Sequence, residues 1–452
     1  MKFAVMTFGC QMNVSDSERI NTMLKSAGFE YEEDPVTADL VIMNTCSVKQ
    51  KAEDKVWGHV GKLAEMKKKN PKARIGLTGC MVRESGIAKK YTAEELVSKD
   101  HLLPQSEDLD FVFRIEDLPS VPKFLSAIYE EELGQDYSDE LESYFQVKPE
   151  YTSAFQVYVP VQTGCDKFCT YCIVPFTRKR EISRPMQEII EEVKDLVARG
   201  AKEVTLLGQT VNSYKHESST KEYSENNFVE LLYQLNKIPG LDRLRYTSPH
   251  PMDMKDELIR AHVELKTMCP HVHLPAQSGD DKVLKRMNRK YTREQFVEIV
   301  RKLKEAMPDI CITTDVIVGF CGETEEEFMN TYKLFEEVGF DMSFTSRYSP
   351  RKGTYSARRV PDDVSAAEKA SRWHRLNDLL KGISAEKNKT YEGRLEQILI
   401  EKKLGDGRFE GTTRSWKRVQ FTAKKNLIPG MIVPVKIKHG IQWMLLGELL
   451  EK

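Results

Sequence analysis

A predicted strand runs directly into three closely spaced cysteines: Phe155-Gln-Val-Tyr-Val-Pro-Val-Gln-Thr-Gly164-Cys165-Asp-Lys-Phe-Cys169-Thr-Tyr-Cys172. Further apolar runs typical of buried strands follow it, and helical patterns separate most of them. The runs lie at 203–208, 243–247, 271–274, 312–318 and 341–345, and the helical patterns at 186–199, 292–306 and 324–338. These alternating units predict a partial, TIM-like (βα)6 barrel, with the cysteine loop at the carboxyl ends of its strands, where such barrels place their active sites.

The spacing Cys165-x3-Cys169-x2-Cys172 favours iron–sulfur chemistry over zinc. Structural zinc sites generally combine two Cys-x2-Cys pairs into four ligands, whereas this single loop supplies three. A [4Fe–4S] cluster held by three thiolates has one iron free to bind another molecule. We therefore expect the loop to hold such a cluster.

The beginning of the chain predicts an α/β domain with a doubly wound parallel sheet. Buried-strand patterns at 2–8, 38–45 and 73–78 alternate with helical patterns. Ser15-Asp-Ser-Glu18 predicts the capping box of the first helix, and Gly28 predicts its end.

One cysteine follows each of these three strands: Cys10, Cys46 and Cys80, which are 36 and 34 residues apart. Because the carboxyl ends of parallel strands meet at one sheet edge, we expect the three thiols to converge. Three thiolates suit a second iron–sulfur cluster or a soft metal ion, and zinc remains possible from this pattern alone.

Composition excludes several classes of protein. The 452 residues suggest roughly two to four domains. The 9 cysteines, grouped as they are, favour metal or catalytic roles in a reducing cytoplasm over disulfides. Neither a signal peptide nor a run of about 18 apolar residues occurs, so we expect no membrane segment.

Charge is distributed unevenly, although the net charge is −1. Residues 101–150 contain 13 acidic and 3 basic residues, and the stretch 133–139 reads as part of a linker. Residues 388–452 contain 13 basic and 7 acidic residues, a net charge of +6. We predict three domains, with bounds 1–147, 148–387 and 388–452.

The basic tail predicts a small all-β barrel of five strands, because short strand patterns alternate with Gly-containing turns. The aromatic residues Phe409, Trp416 and Phe421 are interleaved with its basic residues. Such a surface suits RNA backbone contact and base stacking, although at least half of these rings are expected in the core.

Four motifs resemble those of the tRNA methylthiotransferases, a family within the radical S-adenosylmethionine (SAM) superfamily. They are Gly9-Cys10-Gln-Met-Asn13, Gly164-Cys165-Asp-Lys-Phe-Cys169-Thr-Tyr-Cys172-Ile-Val-Pro175, Leu206-Leu-Gly208-Gln-Thr-Val-Asn212-Ser-Tyr214 and His273-Leu-Pro-Ala-Gln277-Ser-Gly279. The resemblance spans essentially the whole chain, and the basic tail is similar to the TRAM domain, an RNA-binding barrel.

The resemblance implies an activity. An enzyme of this family cleaves SAM to a 5′-deoxyadenosyl radical, which removes hydrogen from C2 of N6-isopentenyladenosine at position 37 of tRNA. Sulfur methylated by a second SAM is then inserted. By this resemblance Cys165, Cys169 and Cys172 hold the SAM-binding [4Fe–4S] cluster, and Cys10, Cys46 and Cys80 hold an auxiliary one.

The resemblance also implies partners. They are the tRNA anticodon stem-loop that carries isopentenyladenosine and an electron donor such as flavodoxin or ferredoxin. We expect a cytoplasmic monomer.

Further residues are candidates for the cofactor pocket and for RNA contact. Candidates for SAM binding are Tyr171, Gln209, Gln277 and Asp315. A basic patch after the cysteine loop is expected to contact RNA phosphates, together with Trp416. Its residues are Arg178, Lys179, Arg180 and Arg184. His250 and His273 are expected to be structural.

Two positions depart from the family pattern. Lys179 stands where related sequences usually have Gly, which removes backbone freedom beside the loop. Cys321 stands where they usually have Pro, and we interpret it as structural, like Cys269 and Cys311.

Three alternatives remain. The same chemistry could act on threonylcarbamoyladenosine in tRNA or on an aspartate of a ribosomal protein. The Gln-Met of Gly9-Cys10-Gln-Met-Asn13 disfavours the latter, because that group usually has Pro-Lys there. A non-enzymatic, zinc-binding RNA chaperone is the alternative from a different class.

Overall fold

The computed structural model describes residues 1–47, 50–83, 108–129, 143–216 and 221–450. The chain forms two units. One contains Met1–Thr152, Thr163–Phe168 and Cys172–Ile182, and the other contains Ser153–Gln162, Cys169–Tyr171 and Ser183–Lys452. The stretch 133–139, expected in a linker, lies outside the described residues. The bounds of the three domains stay a prediction.

Strands and helices alternate through most of the described chain. The strands are β1 Lys2–Thr7, β2 Glu30–Tyr31, β3 Leu40–Thr45, β4 Arg74–Gly79, β5 Phe111–Val112, β6 Gln156–Pro160, β7 Gln162–Thr163, β8 Ile182–Ser183, β9 Glu203–Leu207, β10 Arg243–Tyr246, β11 His271–His273, β12 Cys311–Val318, β13 Met342–Arg347, β14 Leu395–Gly405, β15 Arg408–Thr412, β16 Arg418–Thr422, β17 Ile432–Ile441 and β18 Met444–Leu449. The α-helices are Gln11–Ser26, Gln50–Lys69, Val121–Tyr129, Val174–Thr177, Met186–Ala198, Asn227–Asn236, Asp256–Glu264, Asp281–Arg286, Arg293–Ala306, Glu325–Val338, Tyr355–Arg359 and Ala366–Lys389.

The first unit is built on a parallel sheet with strand order β2-β1-β3-β4-β5. Its central strand β3 is buried along its whole length, since helices cover both faces. The helices Gln11–Ser26 and Val121–Tyr129 pack on one face, and Gln50–Lys69 packs on the other. The predicted parallel α/β arrangement is therefore present.

The predicted start of the first helix is wrong. The helix begins at Gln11, with Cys10 at its N-cap, and the backbone N–H of Cys10 donates to Asn13 Oδ1 at 3.2 Å. The sequence Ser15–Glu18 lies inside the helix and is buried. These polar side chains bind partners elsewhere in the unit: Glu18 Oε1, for example, accepts both the backbone N–H and the hydroxyl of Thr152 at 2.8 Å.

Six parallel strands form the body of the second unit. They occur in two sheets, β10-β9-β6 and β11-β12-β13. A parallel bridge pairs Leu244 of β10 with Met268, which lies just before β11 in the chain. Each strand overlaps the run predicted for it. This strand order is the one expected of an incomplete parallel barrel.

The same unit contains a closed five-stranded barrel with strand order β14-β15-β16-β18-β17. Its interior is apolar, and the rings of Phe409 and Phe421 stack there with centroids 5.6 Å apart. Two of the three aromatic side chains considered for RNA stacking are therefore core residues.

The closed barrel is attached to the amino ends of the parallel strands. The Arg243 guanidinium, at the start of β10, donates to the carbonyls of Thr412 and Gln397 at 3.0 and 2.7 Å. Just before β13, Asp341 accepts from Lys417 at 2.7 Å. The barrel therefore lies at the end of the core strands opposite to the one that the cysteine loop follows.

Candidate functional site

Three cysteines of the first unit follow neighbouring parallel strands. Cys10 follows β1, Cys46 follows β3 and Cys80 follows β4. Cys46 and Cys80 are buried, whereas Cys10 is exposed. The strand order therefore brings the three residues to one edge of the sheet, as expected.

Close backbone packing holds this edge together. The backbone N–H of Cys80 donates to the Thr45 carbonyl at 2.8 Å, and Asn13 Nδ2 donates to the same carbonyl at 3.1 Å. Gly9 has φ +141°, and a Cβ placed on it would lie 2.8 Å from the Cys46 Cβ. Glycine at position 9 thus lets the chain carrying Cys10 pass directly against Cys46.

A buried ion pair lies beside Cys80. Arg178 and Asp16 pair with almost no solvent exposure, and the Tyr144 hydroxyl donates to Asp16 Oδ1 at 2.7 Å. Burial raises the pKa of the Cys80 thiol, whereas the positive charge of Arg178 and its hydrogen bond to the sulfur act in the opposite direction. Arg178 therefore supplies fixed positive charge at the thiol edge.

The first part of the cysteine loop also belongs to this unit. Cys165 donates its backbone N–H to the Lys179 carbonyl at 3.1 Å, and its sulfur accepts the N–H of Lys167 at 3.4 Å. Gly164 has φ +80°, and a Cβ there would lie 2.0 Å from the Arg180 carbonyl oxygen. The loop is thus packed directly against residues 178–180.

The expected surface patch of four basic residues is wrong for two of them. Arg178 is buried against Asp16, and Arg184 is buried against Glu192 Oε2 at 2.6 Å. Both guanidinium groups are paired with carboxylates and are not exposed at the surface. Lys179 and Arg180 are exposed, and Arg180 lies 4.7 Å above the Phe168 ring and pairs with Asp166 at 3.2 Å.

Of the rest of the loop, Cys169–Tyr171 belongs to the second unit and Cys172 to the first. The Thr170 hydroxyl donates to the Arg286 carbonyl at 2.9 Å, and the Thr170 carbonyl accepts the N–H of Ser356 at 2.9 Å. Tyr171 packs edge-on against Phe320 with ring centroids 6.2 Å apart. These contacts position the segment that carries Cys169 against the end of the parallel strands.

Of the proposed SAM-pocket residues, Gln209 and Gln277 follow the carboxyl ends of strands, whereas Asp315 lies inside β12, three residues before its end. Gln277 has φ +65°, and its backbone N–H donates to the Asp315 carbonyl at 2.8 Å. Asp315 Oδ2 lies 3.1 Å from His273 Nε2. Gln209 Oε1 is buried and has no hydrogen-bond partner among the described residues. A buried acceptor of this kind suits a polar ligand.

Sequence reasoning missed Gln162. Its side chain is fully buried beyond the end of β6, and both its amide atoms lack partners within the described ranges. A Cβ on Gly208 would lie 2.7 Å from Gln162 Cγ, so this amide is beside the residue that precedes Gln209. A polar residue that ends an apolar strand pattern was the available signal.

Trp416 is half-buried and packs against two other rings. Its ring stacks on His271 at 4.9 Å and contacts Phe344 edge-on at 6.4 Å. Because His271 begins β11, Trp416 packs the closed barrel against the amino end of that strand. Its expected contact with RNA stays a prediction.

The described residues contain neither a single-ion metal site nor a membrane-spanning helix. Within the described ranges, no three His, Cys, Asp or Glu side chains are placed to hold a single metal ion. The three sulfurs that bind a [4Fe–4S] cluster contact three different irons and are therefore further apart than those around one ion. No helix in the described part of the chain is long and apolar enough to cross a membrane.

Two family models match the chain. The Radical SAM superfamily matches residues 159–335, and a family described as Uncharacterized protein family UPF0004 matches residues 2–99. The first match begins within β6 and includes the Cys165 loop, and the second includes Cys10, Cys46 and Cys80.

Solved structures share the fold. The radical S-adenosylmethionine methyltransferase TsrM from Kitasatospora setae, solved with cobalamin and a [4Fe-4S] cluster, has a TM-score of 0.53 and 15% identity. The match covers 76% of this chain and 74% of that one. At this identity the likeness concerns the fold alone.

Curated relatives match almost the whole chain. A protein named tRNA-2-methylthio-N(6)-dimethylallyladenosine synthase from Thermoanaerobacter sp. (strain X514) is 41% identical over 454 residues, which cover 99% of this chain and 93% of the relative. One with the same name from Geobacillus kaustophilus (strain HTA426) is 39% identical and covers 100% of this chain and 82% of the relative. The chain therefore belongs to the family of the tRNA-2-methylthio-N(6)-dimethylallyladenosine synthases.

Proposed function

We propose that the chain is a tRNA methylthiotransferase, which converts N6-isopentenyladenosine at position 37 to its 2-methylthio derivative. The observation that carries this proposal is the 41% identity, over 99% of the chain, to a relative whose name states that reaction. One SAM molecule would serve radical formation and a second would supply the methyl group. Its cofactors are SAM and [4Fe–4S] clusters.

Two sets of thiols fit the two clusters. Cys165, Cys169 and Cys172 would hold the SAM-binding cluster and leave one iron for SAM. Cys10, Cys46 and Cys80, which the sheet brings to one edge, would hold the auxiliary cluster. When bound, clusters and SAM supply the radical chemistry that an unactivated C2–H bond requires, since no acid or base side chain can break it.

The protein's own side chains would bind and orient the reactants. The unpartnered amides of Gln162 and Gln209 are suited to hydrogen-bond the polar groups of SAM. Tyr171, Gln277 and Asp315 are the further candidates for that pocket. Arg178 would hold positive charge beside Cys80, where a cluster with its thiolate ligands carries net negative charge.

The RNA partner would be an anticodon stem-loop, whose target base must leave its stack to reach the radical. Exposed Lys179 and Arg180 are candidates for phosphate contact. The closed barrel is similar in size and charge to a TRAM domain and would bind RNA through its basic surface. A cytoplasmic monomer reduced by flavodoxin or ferredoxin completes the proposal.

The first test is nucleoside mass spectrometry of tRNA from a strain in which this gene is deleted. We expect 2-methylthio-N6-isopentenyladenosine to disappear and N6-isopentenyladenosine to accumulate. If 2-methylthio-threonylcarbamoyladenosine is lost instead, the substrate assignment is wrong. If tRNA is unchanged and a ribosomal protein loses its methylthio group, the enzyme acts on protein.

Single cysteine variants separate the two clusters. After anaerobic reconstitution the parent should contain about eight irons per chain. Cys165→Ala should abolish formation of 5′-deoxyadenosine. Cys46→Ala should keep SAM cleavage but form no methylthio product, because only the auxiliary cluster is lost.

The matched control is Cys269→Ala, which removes a buried thiol outside both sets and should retain the parent's iron and product. Product from Cys46→Ala would show that the Cys10, Cys46 and Cys80 set is not the sulfur source. Stoichiometric zinc without iron in the parent would support the RNA chaperone instead.

A further inference from the structure

A second basic surface lies in residues 347–359, which begin at the last residue of β13 and are here called the basic segment. It contains no acidic residue. Four of its cations are exposed: Arg347, Lys352, Arg358 and Arg359. The basic segment includes the short helix Tyr355–Arg359, which presents two of them.

These four cations differ from most exposed arginines of the molecule. Within the described part of the chain, none of their side chains has a hydrogen bond or ion pair. By contrast, Arg301 and Arg375 are exposed and bind carboxylates on their own or neighbouring helices. Unpaired cations of one sign on one short segment produce a local positive potential that no nearby carboxylate cancels.

The basic segment is fixed directly to the cysteine loop. The backbone N–H of Ser356 donates to the Thr170 carbonyl at 2.9 Å, and the Ser356 hydroxyl donates to the same atom at 3.0 Å. The Ser356 hydroxyl in turn accepts from Tyr348 at 3.0 Å. Thr170 lies between Cys169 and Tyr171, so the exposed cations are held beside the loop where chemistry is proposed.

An exposed aromatic ring lies among these cations. Tyr355 is 56% exposed. Aromatic side chains of this size are generally more buried in a monomeric protein. Aromatic rings flanked by arginines are the combination that binds single-stranded nucleic acid, with the cations on phosphates and the ring under a base.

We propose that the basic segment binds the RNA backbone next to the target nucleotide, with Arg358 and Arg359 on phosphates and Tyr355 stacked on an unpaired base. This inference rests on the proposed function, since it assigns part of that RNA-binding surface. It also replaces Arg178 and Arg184, which are buried, with cations that RNA can reach.

An acidic protein is the other class of partner that a basic surface fits, and an electron donor would need to approach the same loop. The exposed Tyr355 ring favours RNA, because stacking under a base uses its apolar face, whereas charge attraction to carboxylates does not. The experiment therefore includes reduction by flavodoxin as a separate measurement.

The test measures binding of the reconstituted full-length protein to a fluorescent anticodon stem-loop bearing isopentenyladenosine, at several salt concentrations. Arg358→Gln and Arg359→Gln should each weaken binding about three- to tenfold. Each should also lower the slope of log affinity against log salt by about 0.7, the value for one phosphate contact on a single strand. Tyr355→Ala should weaken binding about tenfold without changing that slope, and Tyr355→Phe should restore it.

The matched control is Lys194→Gln, which removes one exposed, unpaired cation from the helix Met186–Ala198 and changes the net charge equally. It should bind like the parent. Suppose that the parent forms product and that Arg358→Gln and Arg359→Gln also bind RNA like the parent. The inference is then overturned and the proposed function stands. If they keep RNA affinity but are reduced more slowly by flavodoxin, the surface binds the electron donor and the inference is equally overturned.

Failure of the proposed function would be visible in the parent alone, as absence of the methylthio product from this RNA. Melting temperatures and iron contents of the variants identify any loss caused by misfolding. A variant with parental values and weaker, less salt-dependent RNA binding supports the inference.

Discussion

At the scale of single residues, Lys179 occupies a backbone conformation that glycine adopts at lower cost. Its φ is 55°, in the left-handed region. A side chain there costs about 1–2 kcal/mol. The carbonyl of Lys179 accepts the N–H of Cys165, so the loop itself maintains this conformation.

Lys179→Gly should therefore raise the free energy of unfolding by about 0.5–1 kcal/mol, measured by chemical denaturation. The free energy gained by relieving backbone strain exceeds the free energy lost because glycine raises the conformational entropy of the unfolded chain. Lys179→Ala is the control, because it removes the charge but keeps a Cβ. An equal gain in both variants would assign the effect to charge and contradict the backbone explanation.

The same few residues show what a sequence can predict about a site. Position 179 was predicted to be unusual from the family pattern, and the six proposed ligand cysteines follow strands whose apolar runs are easily recognised. The burial of Arg178 could not be predicted, because its partner Asp16 is 162 residues away in the sequence. Local charge patterns contain no information on such a partner.

At the scale of secondary structure, a neutral histidine joins a helix to a strand. His262, on the helix Asp256–Glu264, lies 2.6 Å from the Tyr246 hydroxyl at the end of β10. Burial lowers the pKa of His262 from 6.5 to about 4. The helix therefore packs on the strand through an uncharged ring.

This pair predicts a pH dependence of stability. Since the pKa in the folded protein is below that in the unfolded chain, the contribution is complete above about pH 6.5 and is lost as pH falls towards 4. The loss amounts to about 3 kcal/mol for a difference of this size. Urea denaturation between pH 7 and about 4.5 checks it.

His262→Gln should reduce the dependence of unfolding free energy on pH in this range. Part of the dependence should remain, because burial also lowers the pKa of His271. His374→Gln, on an exposed helix position, should leave the dependence as in the parent. An unchanged slope in His262→Gln would show that His262 already titrates normally.

Helices and strands could be predicted from the sequence where their pattern of apolar residues is uninterrupted. The strands β1, β3 and β4 begin and end within two residues of their predicted bounds, because apolar runs between polar segments define them. The predicted N-cap of the first helix, Ser15, is five residues after the observed one. The observed N-cap is Cys10, a residue type outside the usual capping set, and the buried Ser15–Glu18 sequence imitates a capping box.

At the scale of the second unit, the closed barrel and the parallel strands share a polar interface. Arg243 is almost fully buried and binds carbonyl oxygens of β14 and β15 strand ends. Asp341 binds Lys417 of the barrel and Lys387 of the helix that precedes the barrel. Burial raises the pKa of Asp341, but the two positive charges outweigh it and lower the pKa. These buried contacts predict that barrel and strands unfold together.

Arg243→Met should lower the unfolding free energy by about 2–4 kcal/mol, because buried carbonyls lose their donors. Denaturation followed by tryptophan fluorescence and by circular dichroism should still show coincident transitions. Lys202→Met is the control, since it breaks an exposed pair with Asp242 and should change stability by less than about 0.5 kcal/mol. Two separate transitions in the parent would contradict the shared interface.

The position of the barrel has a consequence for the length of the substrate. The barrel is attached at the amino ends of the core strands, and the basic segment follows their carboxyl ends. The 8 residues of β12, at about 3.3 Å each, separate these ends by about 26 Å. An RNA that contacts both the barrel and the basic segment must span that distance. A double-helical stem with its loop can do so, whereas a trinucleotide cannot. Shortening the stem should therefore weaken binding even when every loop nucleotide is retained.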